Sequence, residues 1–265
     1  MANPKRAQRF HQKFSESRQL QKGGRKADSN YFRRHFRSKK IAYISHLIEN
    51  TDQLLIVSSV TFPEFKPGLI DRFLILAQLE GVPSELILTK IDLLKNKKAA
   101  AGMGKIYEDI GLAVHYVSSK TGQGVEAIQK VLKDRKTAVV GHSGVGKTTL
   151  LNRIDPDYSQ KVQEVSDMTH RGRHTTTQIR RHSFSFGGEV YDMPGLKEID
   201  FMSLTKRDLS AHYAEFEKPS AECRFSNCSH THEEFCGVKK ALEAGKISDV
   251  RFENYLQIYD SLPDL

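Results

Sequence analysis

The sequence predicts an α/β fold: a largely parallel sheet with crossover helices, followed by a small helical metal-binding domain. Three observations lead there. Short apolar runs alternate with amphipathic stretches from Gln53 onward, a glycine-rich loop from Gly141 to Thr148 joins an apolar run to a helical stretch, and all three cysteines fall between Cys223 and Cys236. The chain has 265 residues, 28% charged and 38% hydrophobic, which suits one large or two modest domains with cores of their own. No apolar run approaches the roughly 18 residues of a membrane span. Residues 1–9 are basic but lack the apolar stretch of a secretory signal. Membrane embedding is excluded, and the cytosol is the expected compartment.

The charge is unevenly placed. Residues 1–40 hold thirteen Lys/Arg and two acids, a charge of +11, which leaves −2 of the total +9 for the other 225 residues. Residues 1–30 are rich in Gln, Ser, Lys and Arg with no sustained period, so burial cannot offset the entropy of ordering and the free segment is expected to be disordered. Such a tail neutralises phosphates, and its interleaved Phe10, Phe14, Tyr31, Phe32 and Phe36 could stack on exposed bases. A solvated tail that only aids solubility is the plainer alternative.

The elements follow in order. Residues 53–60 (QLLIVSSV), 85–89 (ELILT), 113–117 (AVHYV) and 137–140 (TAVV) read as buried strands, and 68–80, 97–110 and 124–133 have helical spacing between them. This alternation implies parallel strands with crossovers. Gly141-His142-Ser143-Gly144-Val145-Gly146-Lys147-Thr148 fits G-x-x-x-x-G-K-[ST], with a strand before it and a helix over 147–153, Thr149 included, after it. Its backbone amides and helix N-terminus suit an anion, Lys147 the β/γ-phosphates, and Thr148 a Mg²⁺ ion. Residues 178–193 read as a hairpin: 179–186 alternate, Gly187-Gly188 turn, and 189–192 return. The returning strand ends in Asp192-Met193-Pro194-Gly195, a D-x-x-G in which Asp192 would hold Mg²⁺ through water and the Gly195 amide would meet the γ-phosphate. After about residue 204 the pattern is helical apart from one Cys/His loop.

Two further motifs sit at strand ends. Thr89-Lys90-Ile91-Asp92 resembles the guanine-reading N-K-x-D, with Thr89 in place of the usual Asn; Asp92 would pair with guanine N1–H and the exocyclic amine while the Lys90 stem covers the base. Ser118-Ser119-Lys120 resembles S-A-K, whose backbone amide contacts guanine O6. Either could be an ordinary helix cap alone. In conventional GTPases the base motifs follow the phosphate loop; here they precede it, which makes the predicted fold a circularly permuted P-loop GTPase domain. Permutation is tolerated because strand ends, and not chain order, assemble such a site.

The cysteines form C-x₄-C-x-H-x₅-C, with Cys223, Cys228, His230 and Cys236. Three thiolates and an imidazole suit a closed tetrahedral Zn²⁺, structural in role, with His232 as a rival ligand. The helices after it carry Arg251, Phe252 and Tyr255, read either as a contact surface or as core.

Motif order, phosphate loop and cysteine cluster together resemble the circularly permuted, small-ribosomal-subunit-dependent GTPases of bacteria, the RsgA or YjeQ family, over about residues 50–260. The resemblance selects His230 as the zinc ligand. It also matches Arg171-Gly172-Arg173-His174-Thr175-Thr176 to the family's first switch, which implies Thr176 as the Mg²⁺ and γ-phosphate sensor, with Thr175 as the alternative, and His174 as the group that places the attacking water. Leu196 stands after the D-x-x-G where many GTPases carry glutamine, so unassisted turnover is expected to be slow, on the order of 10⁻⁴ s⁻¹, and a bound partner to accelerate it. The resemblance implies a monomeric GTP hydrolase that binds the small ribosomal subunit and its rRNA, acts in late maturation and is released on hydrolysis. A GTP-dependent nucleic-acid-binding switch and a large-subunit assembly GTPase are the alternatives. Family members usually carry an N-terminal OB-fold, whereas residues 1–30 here lack its alternating strands. The expected organisation is a basic tail or reduced OB remnant over 1–50, the GTPase domain over 51–203 and the zinc-binding domain over 204–265.

Overall fold

The computed structural model describes residues 39–161, 163–164, 179–196, 199, 201 and 204–263. The expected disordered segment 1–30 and the first-switch residues Arg171 to Thr176 lie outside the described residues.

The first described element is helix α1 (Lys39–Glu49), where the 3.6-residue period brings Ile41, Ile44 and Ile48 onto one buried face. Folded structure therefore begins ahead of residue 51, and residues 39–49 are neither tail nor barrel strand, since that apolar stripe is satisfied only against the core. Strand β1 (Gln53–Ser59) follows, then α2 (Pro67–Leu79), opened by a proline at its first turn, and β2 (Ser84–Thr89). Next come α3 (Lys97–Glu108), capped by the Asn96 side chain accepting from the Lys98 N–H at 3.0 Å, β3 (Ala113–Val117) and α4 (Val125–Leu132). Strand β4 (Lys136–Gly141) leads into α5 (Lys147–Ile154) and the short α6 (Tyr158–Lys161). Strands β5 (Gln163–Glu164), β6 (Arg180–Ser183) and β7 (Glu189–Asp192) complete the described sheet.

The strand order is β3-β2-β1-β4-β7-β6-β5. β1 pairs in parallel with β2 and β4, β2 with β3, and β4 with β7, while β6 runs antiparallel to β7 and β5. Both faces of the parallel part are covered. Leu54, Ile56, Leu86, Leu88, Ala138 and Val140 point into one core cluster, and Leu55, Val57, Ile87 and Val139 into the other, the two-residue alternation of a doubly covered sheet. The hairpin strand β6 stops at Ser183 and does not reach Phe186 as its alternation suggested. The Phe184 N–H bonds Gly188 O at 3.0 Å and the Gly187 N–H bonds Phe184 O at 3.1 Å, so residues 184–188 already form the turn, with Phe184 stacked on Phe186 at 4.8 Å.

Beyond residue 204 the chain forms α7 (Lys206–Leu209), α8 (Glu217–Ser220), α9 (Gly237–Glu243) and α10 (Asp249–Ser261). Their apolar residues, Val238, Tyr255 and Ile258 among them, and Phe216 in the turn before α8, join the same cluster that covers one sheet face. A buried ion cluster fastens α10 to α2. The Arg251 guanidinium donates to Asp71 Oδ1 at 2.5 Å and to Glu215 Oε1 at 2.8 Å, and Asn254 donates to Asp71 Oδ2 at 2.7 Å. Burial works against the Arg251 charge, but the two carboxylates outweigh it and raise its pKa further. Arg251 and Tyr255 are buried, at 3% and 0% exposure, so this face of α10 is core and the contact-surface alternative falls.

Candidate nucleotide site and metal centre

The C-terminal ends of the parallel strands bring the predicted motifs together. The phosphate loop leaves β4 at Gly141 and enters α5 at Lys147, with Gly144 and Gly146 at φ +79° and +99°, the left-handed turns that wrap backbone amides inward. Lys147 is 8% exposed and lies across the loop, its Nζ donating to Gly141 O at 3.0 Å and His142 O at 3.2 Å. Burial lowers its pKa and the Asp192 charge opposes that. His142 Nδ1 sits 2.8 Å from Ser143 O, Val145 is buried, and Thr148 and Thr149 are exposed in the first turn of α5.

The D-x-x-G segment is pressed against this loop. The Met193 N–H bonds Val139 O at 2.9 Å and the Leu196 N–H bonds Gly141 O at 3.3 Å. A Cβ on Gly195 would stand 2.7 Å from the Ser143 nitrogen, so only glycine permits this approach. Asp192, 6% exposed at the end of β7, accepts from the Tyr158 hydroxyl through Oδ2 at 2.9 Å, while its buried Oδ1 has no hydrogen-bond partner among the described residues. Burial raises the Asp192 pKa against the opposing charges of Lys147 and Arg180 and the hydroxyls of Tyr158 and Thr148. A buried carboxylate oxygen awaiting a donor, next to Thr148, fits a hydrated Mg²⁺.

The base motifs face the same loop. The Thr89 hydroxyl lies 2.5 Å from Val145 O and 3.2 Å from Ser58 O, so the threonine does tie the base-reading strand to the phosphate loop. Lys90, at φ +61°, donates through Nζ to Gly144 O at 2.8 Å and to Phe62 O. Asp92 is exposed, and its Oδ1 accepts from the buried Ser118 hydroxyl at 2.6 Å, which itself accepts from the Thr121 N–H at 3.1 Å. Ser119 is half-buried and Lys120 exposed in the loop that follows. A cavity of about 400 Å³ lined by Ile91, Asp92, Leu94, Tyr116, Thr121 and Gln123 opens beside this pair of loops. Sequence reasoning missed the loop after β1 that supplies the Phe62 carbonyl, and Tyr158; neither belongs to a recognisable motif. His174 and Thr176 lie outside the described residues.

Cys223, Cys228, His230 and Cys236 converge with their ligand atoms within 4.8 Å of one another. Cys223 Sγ is 3.9 Å from Cys236 Sγ and 3.6 Å from His230 Nδ1, and His230 Nδ1 is 3.3 Å from Cys236 Sγ. Four soft donors at these separations fit a tetrahedral zinc ion with bonds of about 2.0–2.3 Å. The other ring nitrogen of His230 faces Ser220 Oγ at 3.4 Å, and the Gly237 N–H points at Cys223 Sγ at 3.3 Å, an outer shell of the usual kind. His232 is turned away, with Nδ1 3.0 Å from Thr231 Oγ1.

Comparison with known proteins agrees with this geometry. The family model described as RsgA GTPase matches residues 28–202. The small ribosomal subunit biogenesis GTPase RsgA of Chlorobaculum tepidum is 37% identical over 218 residues, 82% of this chain and 70% of that protein. The protein of the same name from Alkaliphilus metalliredigens is 38% identical over 220 residues, 83% of this chain and 75% of its own. Among solved structures, YjeQ from Thermotoga maritima superposes with a TM-score of 0.65 at 33% identity, covering 80% of this chain and 71% of that one. YloQ, described as a circularly permuted GTPase, gives 0.62 at 29% identity over 82% and 71%.

Proposed function

The chain belongs to the RsgA GTPase family, and on that premise we propose that it binds the small ribosomal subunit directly, hydrolyses GTP faster when bound, and leaves the subunit in its GDP form. The fold is a circularly permuted GTPase domain with a helical Cys₃His unit behind it, and the activity is that of a ribosome-biogenesis GTPase. Among the described residues no helix is long and apolar enough to cross a membrane.

The roles follow from position. Amides of residues 141–148 and Lys147 hold the β/γ-phosphates, and Thr148, Thr176 and Asp192 hold Mg²⁺, the last through water. When bound, Mg²⁺ neutralises charge on the phosphate oxygens. Asp92 reads guanine with Lys90 along the base and the 118–120 loop at O6, and the Gly195 amide reports the γ-phosphate. With Leu196 unable to orient water, His174 places the nucleophile and the subunit completes the site. Zn²⁺ on Cys223, Cys228, His230 and Cys236 stiffens the C-terminal unit. The +11 segment of residues 1–40 adds salt-sensitive contacts to rRNA. The protein acts as a cytoplasmic monomer, with a GTPase domain over 51–203 and a zinc-binding domain over 204–265.

The observation that carries this reading is the joining of the 89–92 base loop and the D-x-x-G to one phosphate loop, through Thr89, Lys90 and Gly195, with the 118–120 loop tied to Asp92 through Ser118. Co-sedimentation with isolated ribosomal subunits tests it. The expected outcome is retention on the small subunit with a non-hydrolysable GTP analogue and loss with GDP. Retention on the large subunit alone, or equal retention in both nucleotide states, would overturn it.

A further inference from the structure

Asp192 is held by a residue that no nucleotide motif contains. Tyr158, the first residue of α6, is fully buried and directs its hydroxyl to Asp192 Oδ2 at 2.9 Å. The ring is itself fixed. It meets the His182 imidazole edge-on at 5.2 Å, and His182 is bound through Nε2 to Asp155 Oδ2 at 2.8 Å and packed against Phe184 at 5.1 Å. Asp155 closes the C-terminal end of α5, whose N-terminus carries Lys147 and Thr148. The line from Asp155 through His182 and Tyr158 to Asp192 therefore runs from the far end of the phosphate-loop helix back to the aspartate beside its start.

A carboxylate has two equivalent oxygens and a broad, nearly two-fold torsion, so a single donor on one oxygen selects which way the other faces. Packing alone needs only the ring, and a phenylalanine would fill the same space. The hydroxyl adds a charge-assisted hydrogen bond to an oxygen deep in the core, and among the described residues Oδ1 makes no hydrogen bond of normal geometry, with the Thr148 hydroxyl close enough to act on the carboxylate. We propose that Tyr158 is a positioning residue for the magnesium site, fixing Asp192 Oδ2 so that Oδ1 is presented to the water on the metal. This inference rests on the assignment of Asp192 to Mg²⁺ made above. Tyr158 also opens the segment that leads into the first switch, so the same bond links the approach to one switch with the aspartate of the other.

The test is Tyr158→Phe in the full chain, read as the Mg²⁺ dependence of dissociation of a fluorescent GDP, with Asp192→Asn alongside. The half-saturating Mg²⁺ concentration should rise about three- to tenfold in Tyr158→Phe. Dissociation in chelator should stay as in the parent, since the ring and the nucleotide contacts are retained. An unchanged Mg²⁺ midpoint in a folded Tyr158→Phe protein, with a shifted one in Asp192→Asn, would overturn the role of Tyr158 alone. No shift in Asp192→Asn would overturn the magnesium assignment and the inference with it. A merely structural role would lower the melting temperature and leave the Mg²⁺ midpoint in place. Should Tyr158→Phe not fold, the parent protein with ¹³Cζ-labelled tyrosine gives the same answer. One buried tyrosine resonance should move as Mg²⁺ is added to the GDP complex, and the absence of any such movement would contradict the proposal.

Discussion

The Thr89 hydroxyl meets the Val145 carbonyl oxygen at 2.5 Å, bridging the end of strand β2 and the phosphate loop across 56 positions of sequence. Both atoms are buried, and the bond ties the strand end to the loop. Thr89→Val keeps the shape and removes the donor, leaving a buried carbonyl short of its partner, a loss of about 1–2 kcal/mol. The expected outcome is a lower melting temperature together with weaker binding of both GTP and GDP, measured by calorimetry, because the two loops would no longer be held in register.

Asp92 accepts from Ser118 through Oδ1, and the proposed base reading falls to its other oxygen. Asp92→Asn turns an acceptor into a donor facing guanine's own donors. GTP affinity should fall about ten- to a hundredfold while xanthosine triphosphate, which offers an acceptor there, gains. Competition binding with the two nucleotides checks this, and equal losses for both would remove Asp92 from base reading.

Much of this was legible in the sequence because its signals are local. Four of the parallel strands announce themselves by apolar runs, the phosphate loop by the glycines that follow the fourth, and the cysteine spacing names its own ligands once His230 is chosen over His232. Within helix α3, Gly102 and Gly104 interrupt the apolar period. Gly104 is there for a tertiary reason, because a Cβ would stand 2.0 Å from the Tyr116 hydroxyl oxygen. The Arg251–Asp71 pair and the Tyr158–Asp192 bond join residues 180 and 34 positions apart, and no spacing rule foretells them. The same holds for α1, whose charged neighbours masked the buried stripe of Ile41, Ile44 and Ile48.

Glu80 gives that helix a pH dependence. Burial, reinforced by the nearby Glu49 charge and opposed by a hydrogen bond from Ser45 on α1, raises its pKa to about 7 from an unfolded value near 4.5. A carboxyl whose folded pKa is raised contributes stability that is complete below the unfolded pKa and is lost as pH rises through the folded one. Stability should therefore decline between about pH 4.5 and 7 from this group. Glu80→Gln should flatten that slope and make the protein more stable at pH 8, read from urea unfolding at several pH values.

Arg251 anchors α10 to α2 through Asp71 and Glu215. Arg251→Ala leaves two carboxylates without their counter-charge in the core, which should cost about 3–5 kcal/mol. The double change Arg251→Met with Asp71→Asn should recover part of it. Denaturant unfolding of the three proteins measures both terms, and a loss under about 1 kcal/mol in Arg251→Ala would mean that water reaches the cluster.

The proposed completion of the site by the small ribosomal subunit has a direct kinetic consequence. Its most direct measurement is single-turnover GTP hydrolysis by the full chain, alone and with saturating purified small subunits, at several salt concentrations. The expected result is a slow rate for the free protein, on the order of 10⁻⁴ s⁻¹, and a large acceleration by small subunits that weakens as salt rises and is lost in Lys147→Ala. A rate that small subunits leave unchanged at every salt concentration would contradict it.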